Sequence, residues 1–170
     1  MLSLFNMKFL VDSMLGKLTR FLRIFGYDTI YANDLINFFN INPVPDELLI
    51  DYASKDNRII ITKDFPLYMR YKDKSIFLKG EGIYNYLHQL NKQFGIKFEF
   101  SFKQARCSIC NSQLERVTNK ISIKSDVLKE TYNHFNEFYQ CSNLQCKKVY
   151  WQGSHIEDIQ YKLGKTLEFD

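Results

Sequence analysis

The alternation of apolar and polar positions changes period along this chain, and each change predicts an element. Lys8-Phe9-Leu10-Val11 is an apolar run stopped by Asp12, and a strand is expected there. Met14, Leu15, Leu18, Phe21, Leu22 and Phe25 follow at the i, i+3, i+4, i+7 spacing of an amphipathic helix that Gly26 ends. Tyr27 to Ala32 reads as a second strand, and Asn33 to Val44 as an Asn-rich loop that Phe38 and Phe39 stitch to the core. Pro43 and Pro45 stop extended structure and set up a helix at Asp46-Glu47, with Leu48, Leu49, Tyr52 and Ala53 on one face. Arg58-Ile-Ile-Ile-Thr-Lys-Asp64 comes next. Its three consecutive isoleucines suit a strand buried on both faces. Phe65 to Tyr71 is a loop or short helix, Ser75 to Lys79 a fourth strand, and Ile83, Tyr86, Leu87, Leu90 and Phe94 mark another amphipathic helix.

Strands separated by helical patterns predict an α/β fold, a parallel sheet with helices on both faces. From Ile96 the period becomes two, with Ile96, Phe98, Phe100 and Phe102 set against polar residues. That change is expected to divide the chain near residue 103, into one domain over 1–103 and a smaller one over 104–170.

The first domain delivers carboxylates to one edge. In open parallel sheets ligands bind beyond the carboxyl ends of the strands. Asp12 and Asp64 both sit immediately past such ends, with Thr62 closing the second strand. Asp46 opens a helix, where a carboxylate usually serves the helix end for about 0.5–1 kcal/mol. That helix leads directly into the isoleucine strand, however, so its start falls on the same edge as Asp12 and Asp64. Three converging carboxylates repel unless a cation joins them, and hard oxygen donors select Mg²⁺ or Mn²⁺. Such ions activate water and neutralise charge on a phosphodiester. The chain has no Gly-rich phosphate loop, no evident Ser or Cys nucleophile motif and no Asp-x-Asp phosphatase start. Phosphodiester hydrolysis is therefore the most economical reaction.

Charge adds a partner class. The formal net charge is +4, with 13 basic and 11 acidic residues up to position 100 and 10 and 8 beyond. Neutralising three aspartates with a cation would leave a surface that favours a polyanion. Lys17, Arg20 and Arg23 form a row on the first helix, readable as a phosphate grip or as an ordinary solvated face. No apolar run reaches the roughly 18 residues of a membrane span. The opening Met1 to Val11 has neither a basic leader nor a small-residue cleavage site, so a cytoplasmic location is expected.

All four cysteines lie in the second part: Cys107-Ser-Ile-Cys110 and, after 30 residues, Cys141-Ser-Asn-Leu-Gln-Cys146. Two close pairs predict a tetrahedral zinc site closed to water and hence structural, with His134 and His155 unnecessary as ligands. Lys147-Lys148-Val-Tyr150-Trp151 mixes cations with rings, suited to phosphate contact and base stacking. The competing reading puts Val149 and Trp151 in a small core and Tyr150 outside it.

Blocks of sequence also resemble a known family. Phe9-Leu-Val-Asp12-Ser-Met-Leu-Gly-Lys-Leu-Thr-Arg20-Phe-Leu-Arg23-Ile-Phe-Gly-Tyr27-Asp28, Asp46-Glu-Leu-Leu49, Ile60-Ile-Thr-Lys-Asp64, Arg106-Cys-x-x-Cys110-Asn111 and Tyr150-Trp-x-Gly-Ser-His155 resemble, in wording and order, the mutator-seven C-terminal RNase domain family. The resemblance implies a PIN-like α/β nuclease core, a zinc ribbon and metal-dependent ribonuclease activity. It implies Asp12, Asp46 and Asp64 as metal-binding acids, with Thr62 orienting the site. Asp34 and Glu47 are the candidates for a fourth acid. Lys17, Arg20, Arg23, Lys63, Arg70, Lys147 and Lys148 are the basic residues expected to meet RNA. The rival expectation is a catalytically inactive RNA-binding or adaptor module.

Overall fold

The computed structural model describes residues 7–168, so the leader argument concerning the first six residues falls outside it. Four strands form a parallel sheet in the order β2-β1-β3-β4: β1 Lys8–Val11, β2 Asp28–Tyr31, β3 Ile59–Thr62 and β4 Ser75–Phe77. The order reverses between β1 and β3. The chain steps outward from β1 to β2, then returns across β1 to lay down β3 and β4, so the crevice of a doubly wound sheet opens where β1 and β3 end.

Residue parity sorts the two faces. Phe9, Val11 and Ile61 face a core built with α1 (Gly16–Ile24) and α5 (Ile83–Phe94). Leu10 and Ile60 face a second core with Leu49 and Ala53 of α3 (Asp46–Lys55) and Leu67 of α4 (Phe65–Arg70). Phe9, Leu10, Ile60 and Ile61 are fully buried, each contributing about 1.5–3 kcal/mol relative to exposure. The double-sided burial that three isoleucines predict is what β3 has, apart from a partly exposed Ile59.

The amino edge of the sheet is locked by Arg58, which is buried. Its guanidinium donates to Asp56 Oδ2 and Asp28 Oδ1 at 2.7 and 2.8 Å and to the carbonyl of Phe9 at 3.2 Å. Asp28 is held below its ordinary carboxylate value: burial alone would raise it, but hydrogen bonds from Arg58 and Asn111 outweigh that. The acids of the amino edge are thus paired with a buried cation.

Several expected details change. Ser13–Leu15 is a 3-10 turn, and Met14, though in phase with the apolar stripe, is exposed because α1 begins only at Gly16. The segment expected as loop after β2 contains a 3-10 turn, Ala32–Leu35, and the short α2 (Ile36–Phe39). Phe39 packs on the second core while Phe38 is exposed against Tyr52. The alternation from Ile96 to Phe102 is real in burial, with Ile96 and Phe98 buried, but these residues form no strand. They run extended across the first core, where the Tyr27 hydroxyl donates to the carbonyl of Lys97 at 2.7 Å.

Beyond them, β5 (Leu114–Arg116), β6 (Tyr139–Cys141) and β7 (Val149–Tyr150) make an antiparallel sheet, with α6 (Lys129–His134) in the connection between β5 and β6. Ile123, Phe138 and Val149 form its small core, against which Trp151 packs. The chain then returns. Helix α7 (Ser154–Glu168) places Ile159 and Leu163 in the first core beside α5. Sequence reading passed over this helix, although Ile156, Ile159 and Leu163 keep helical spacing.

Candidate functional site

The register of the central strands builds the site. Val11 pairs with Ile61, and the ladder runs one residue further, with the Asp12 amide donating to the carbonyl of Ile61 at 3.0 Å. Asp12 and Thr62 thereby become neighbours on one face, the face that α3 covers. The Thr62 hydroxyl, fully buried, donates to Asp12 Oδ2 at 2.6 Å and accepts the Asp64 amide at 2.9 Å. Asp12 Oδ1 accepts the Ser13 amide at 2.6 Å and lies 3.2 Å from the Ser13 hydroxyl. Asp64 caps α4 through the Leu67 amide, at 2.9 Å from Oδ1.

Asp46 behaves otherwise. Capping was its ordinary explanation, yet it makes no cap hydrogen bond; Pro45 occupies the cap position. Burial first, and then the Asp64 and Asp12 charges with that of Glu47, raise its carboxyl above the ordinary value, against the opposing pull of Arg70. Asp46 therefore lies within electrostatic reach of Asp64 and Asp12 across the carboxyl edge. Their oxygens are not drawn into one tight group: among the described residues, the cysteines are the only such cluster of potential metal-binding side chains. Arg70 stands between Asp46 and Glu47, 3.4 and 2.7 Å from their oxygens.

The basic residues divide in two. Arg23, expected on a solvated row, is buried: it pairs with Asp34 at 2.6 Å and donates to the carbonyls of Thr29, Ser108 and Ile109 at 2.8, 3.2 and 2.8 Å. Its place on the helix faces the cysteine-bearing unit, so it joins the two parts of the chain and cannot reach a solvent-borne strand. Asp34, a candidate fourth acid, is thereby committed to Arg23; Glu47 remains beside Asp46. Lys63 is paired with Glu81 and lies over the Tyr86 ring, and Arg70 is held by the acids as above. Lys17, Arg20, Lys147 and Lys148 are exposed.

The four cysteines converge as expected. Their sulfurs all lie within 4.8 Å of one another, with Cys107–Cys146 at 3.6 Å and Cys110–Cys141 at 3.3 Å. Such separations are too long for disulfides and close to the ~3.8 Å edge of a tetrahedron with Zn–S bonds of about 2.3 Å. Each knuckle ends in a left-handed residue, Asn111 at φ 66° and Lys147 at φ 48°. The four cysteines could hold a metal such as zinc, compatible with a zinc ribbon. Although burial would raise it, the Cys110 thiol is lowered to about 6 by hydrogen bonding with Ser112 and the neighbouring cysteines. Tyr150 stands outside the small core, as expected, and its hydroxyl meets Cys107 Sγ at 3.1 Å and accepts the Ser108 amide at 3.0 Å. Ser13 and Tyr150 are contacts that sequence reading missed, since no spacing rule marks either.

The Mut7-C RNAse domain model matches residues 7–163, nearly the whole chain. The chain belongs to the Mut7-C RNAse domain family. No curated protein matches it significantly. Membership carries a ribonuclease-type function and with it RNA as the class of partner. In this Mut7-C RNAse domain no described helix is long and apolar enough to cross a membrane.

Proposed function

We propose that this chain is a metal-dependent ribonuclease that hydrolyses RNA phosphodiester bonds at the carboxyl edge of its parallel sheet. The observation carrying the proposal is that Thr62 joins Asp12 to the Asp64 turn at the strand ends, beside an Asp46 that opens α3 without capping it; the raised carboxyl of Asp46 agrees with that arrangement. Mutual repulsion among carboxylates from three separate elements fits a cation of the hard, oxygen-preferring kind, Mg²⁺ or Mn²⁺. Asp12, Asp46 and Asp64 would hold it, and when bound it would supply charge neutralisation at the phosphodiester and a lowered pKa for the attacking water.

The protein's own groups do the rest. Thr62 fixes the rotamer of Asp12 and, through the Asp64 amide, the turn that aims Asp64. Arg70 neutralises Asp46 and Glu47 and is positioned to exchange those oxygens for a phosphate. Lys17, Arg20, Lys147 and Lys148 offer exposed charge for the strand. A structural zinc ion on the four cysteines would fix the second sheet. Labelled single-stranded RNA incubated with Mn²⁺, Mg²⁺ or EDTA, beside Asp64→Asn prepared identically, tests the reading. Metal-dependent cutting that disappears in the variant is expected. Equal cutting by the variant would remove Asp64 from the site, and RNA binding without cutting by either protein would favour a binding module.

A further inference from the structure

Between α1, the cysteine-bearing sheet and α7 lies a groove of about 810 Å³. Its walls combine Gly16, Lys17 and Arg20 of α1, Phe102, and Lys148 and Trp151 of the second sheet. Among the described residues, the side chains of Lys17, Arg20 and Lys148 meet no acid and no hydrogen-bond acceptor. The acid on the α7 wall, Asp158, is occupied by Lys162 at 2.6 Å. Unpaired cations around ring-bearing walls complement a polyanion that also carries flat apolar groups.

We propose that this groove is the track of a single strand of RNA, with bases lodged against Trp151 and Phe102 and phosphates at Arg20 and Lys148. The assignment rests on the ribonuclease reading and names its substrate class. Stacking on rings needs unpaired bases, because a duplex buries its base faces internally. The groove also has a direction. Gly16 and Lys17 line it and belong to the first turn of α1, four and five residues after Asp12, so a strand leaving at that end arrives at the carboxyl edge of the sheet.

The test is binding without cleavage, in EDTA, using the full chain and a fluorescein-labelled 12-nucleotide RNA. Single-stranded RNA should bind and quench the fluorescence of Trp151, the chain's single tryptophan. Arg20→Glu combined with Lys148→Glu should weaken binding at least tenfold and lower the slope of log K against log salt by about 1.4, two phosphates at ~0.7 each. Lys124→Glu combined with Lys129→Glu, two exposed reversals outside the groove, controls for net charge. Duplex RNA should compete at least tenfold less well. DNA of the same sequence binding equally or better would overturn the RNA assignment. Equal affinity of the groove double variant and the Lys124→Glu, Lys129→Glu control, or duplex binding as tight as the single strand, would overturn the groove. Binding lost with the groove variant while Asp64→Asn still binds separates this proposal from failure of the catalytic one.

Discussion

The Thr62 hydroxyl lies 2.6 Å from Asp12 Oδ2 and receives the Asp64 amide at 2.9 Å, so one buried side chain ties the acid after β1 to the acid after β3. Thr62→Val keeps the shape and removes both bonds. It should cost about 1–3 kcal/mol in urea denaturation, because a buried carboxylate loses a donor, and reduce cleavage at least tenfold. Thr62→Ser should restore most of the activity. If the valine variant cleaves like wild type, Thr62 serves packing alone.

Asp46 gives a pH signature. Its carboxyl is raised above the ordinary 3.8, by burial first and then by Asp64. The folded state therefore keeps this proton to higher pH than the unfolded chain does. The resulting stability is complete below about pH 4 and is lost as pH rises through the folded value. At pH 7 the charged Asp46 costs the metal-free fold stability. Asp46→Asn should raise the Tm of EDTA-treated protein at pH 7, with the gain vanishing near pH 4. Added Mn²⁺ should raise the Tm of wild type more than that of the variant. A lower Tm for the variant at pH 7 would mean that its pairing with Arg70 dominates.

The join between the two sheets depends on Arg23 and Gly26. Arg23→Met leaves the carbonyls of Thr29, Ser108 and Ile109 without their donor and should cost about 2–3 kcal/mol, moderated because Asp34 can turn to water. At Gly26, φ is 91° and an added Cβ would sit 2.9 Å from the carbonyl oxygen of Gln104. Gly26→Ala should therefore destabilise at least as much. Chemical denaturation measures both, and losses under about 0.5 kcal/mol would show that the join carries little stability.

Removing one sulfur tests the cysteine cluster. Cys107→Ser should lower bound zinc from about one equivalent to none and shift Trp151 emission to the red, since the ring packs against Phe135 and Phe138 in the small core. Unchanged zinc content would exclude the four-sulfur site.

The sequence by itself determined the elements and the edge to which Asp12 and Asp64 are delivered. Period and punctuation are local properties, so the isoleucine strand, the helices after Asp12 and before β3, and the two cysteine knuckles were all legible. So were Asp12 and Asp64, because an apolar run that stops on a carboxylate marks a strand end wherever it occurs. Tertiary structure decided what depends on distant neighbours. Arg23 and Arg20 share one helix and one residue type, yet the Ser108–Ile109 backbone arrives over Arg23 and leaves Arg20 in water. The alternating segment from Ile96 found no partner strand and became an extended strap, since period two records which side is buried and says nothing of pairing. The return of α7 to the first core, and the groove it closes, join parts of the chain that the second sheet separates in sequence. A helix with one apolar stripe does not specify which of two cores it will cover.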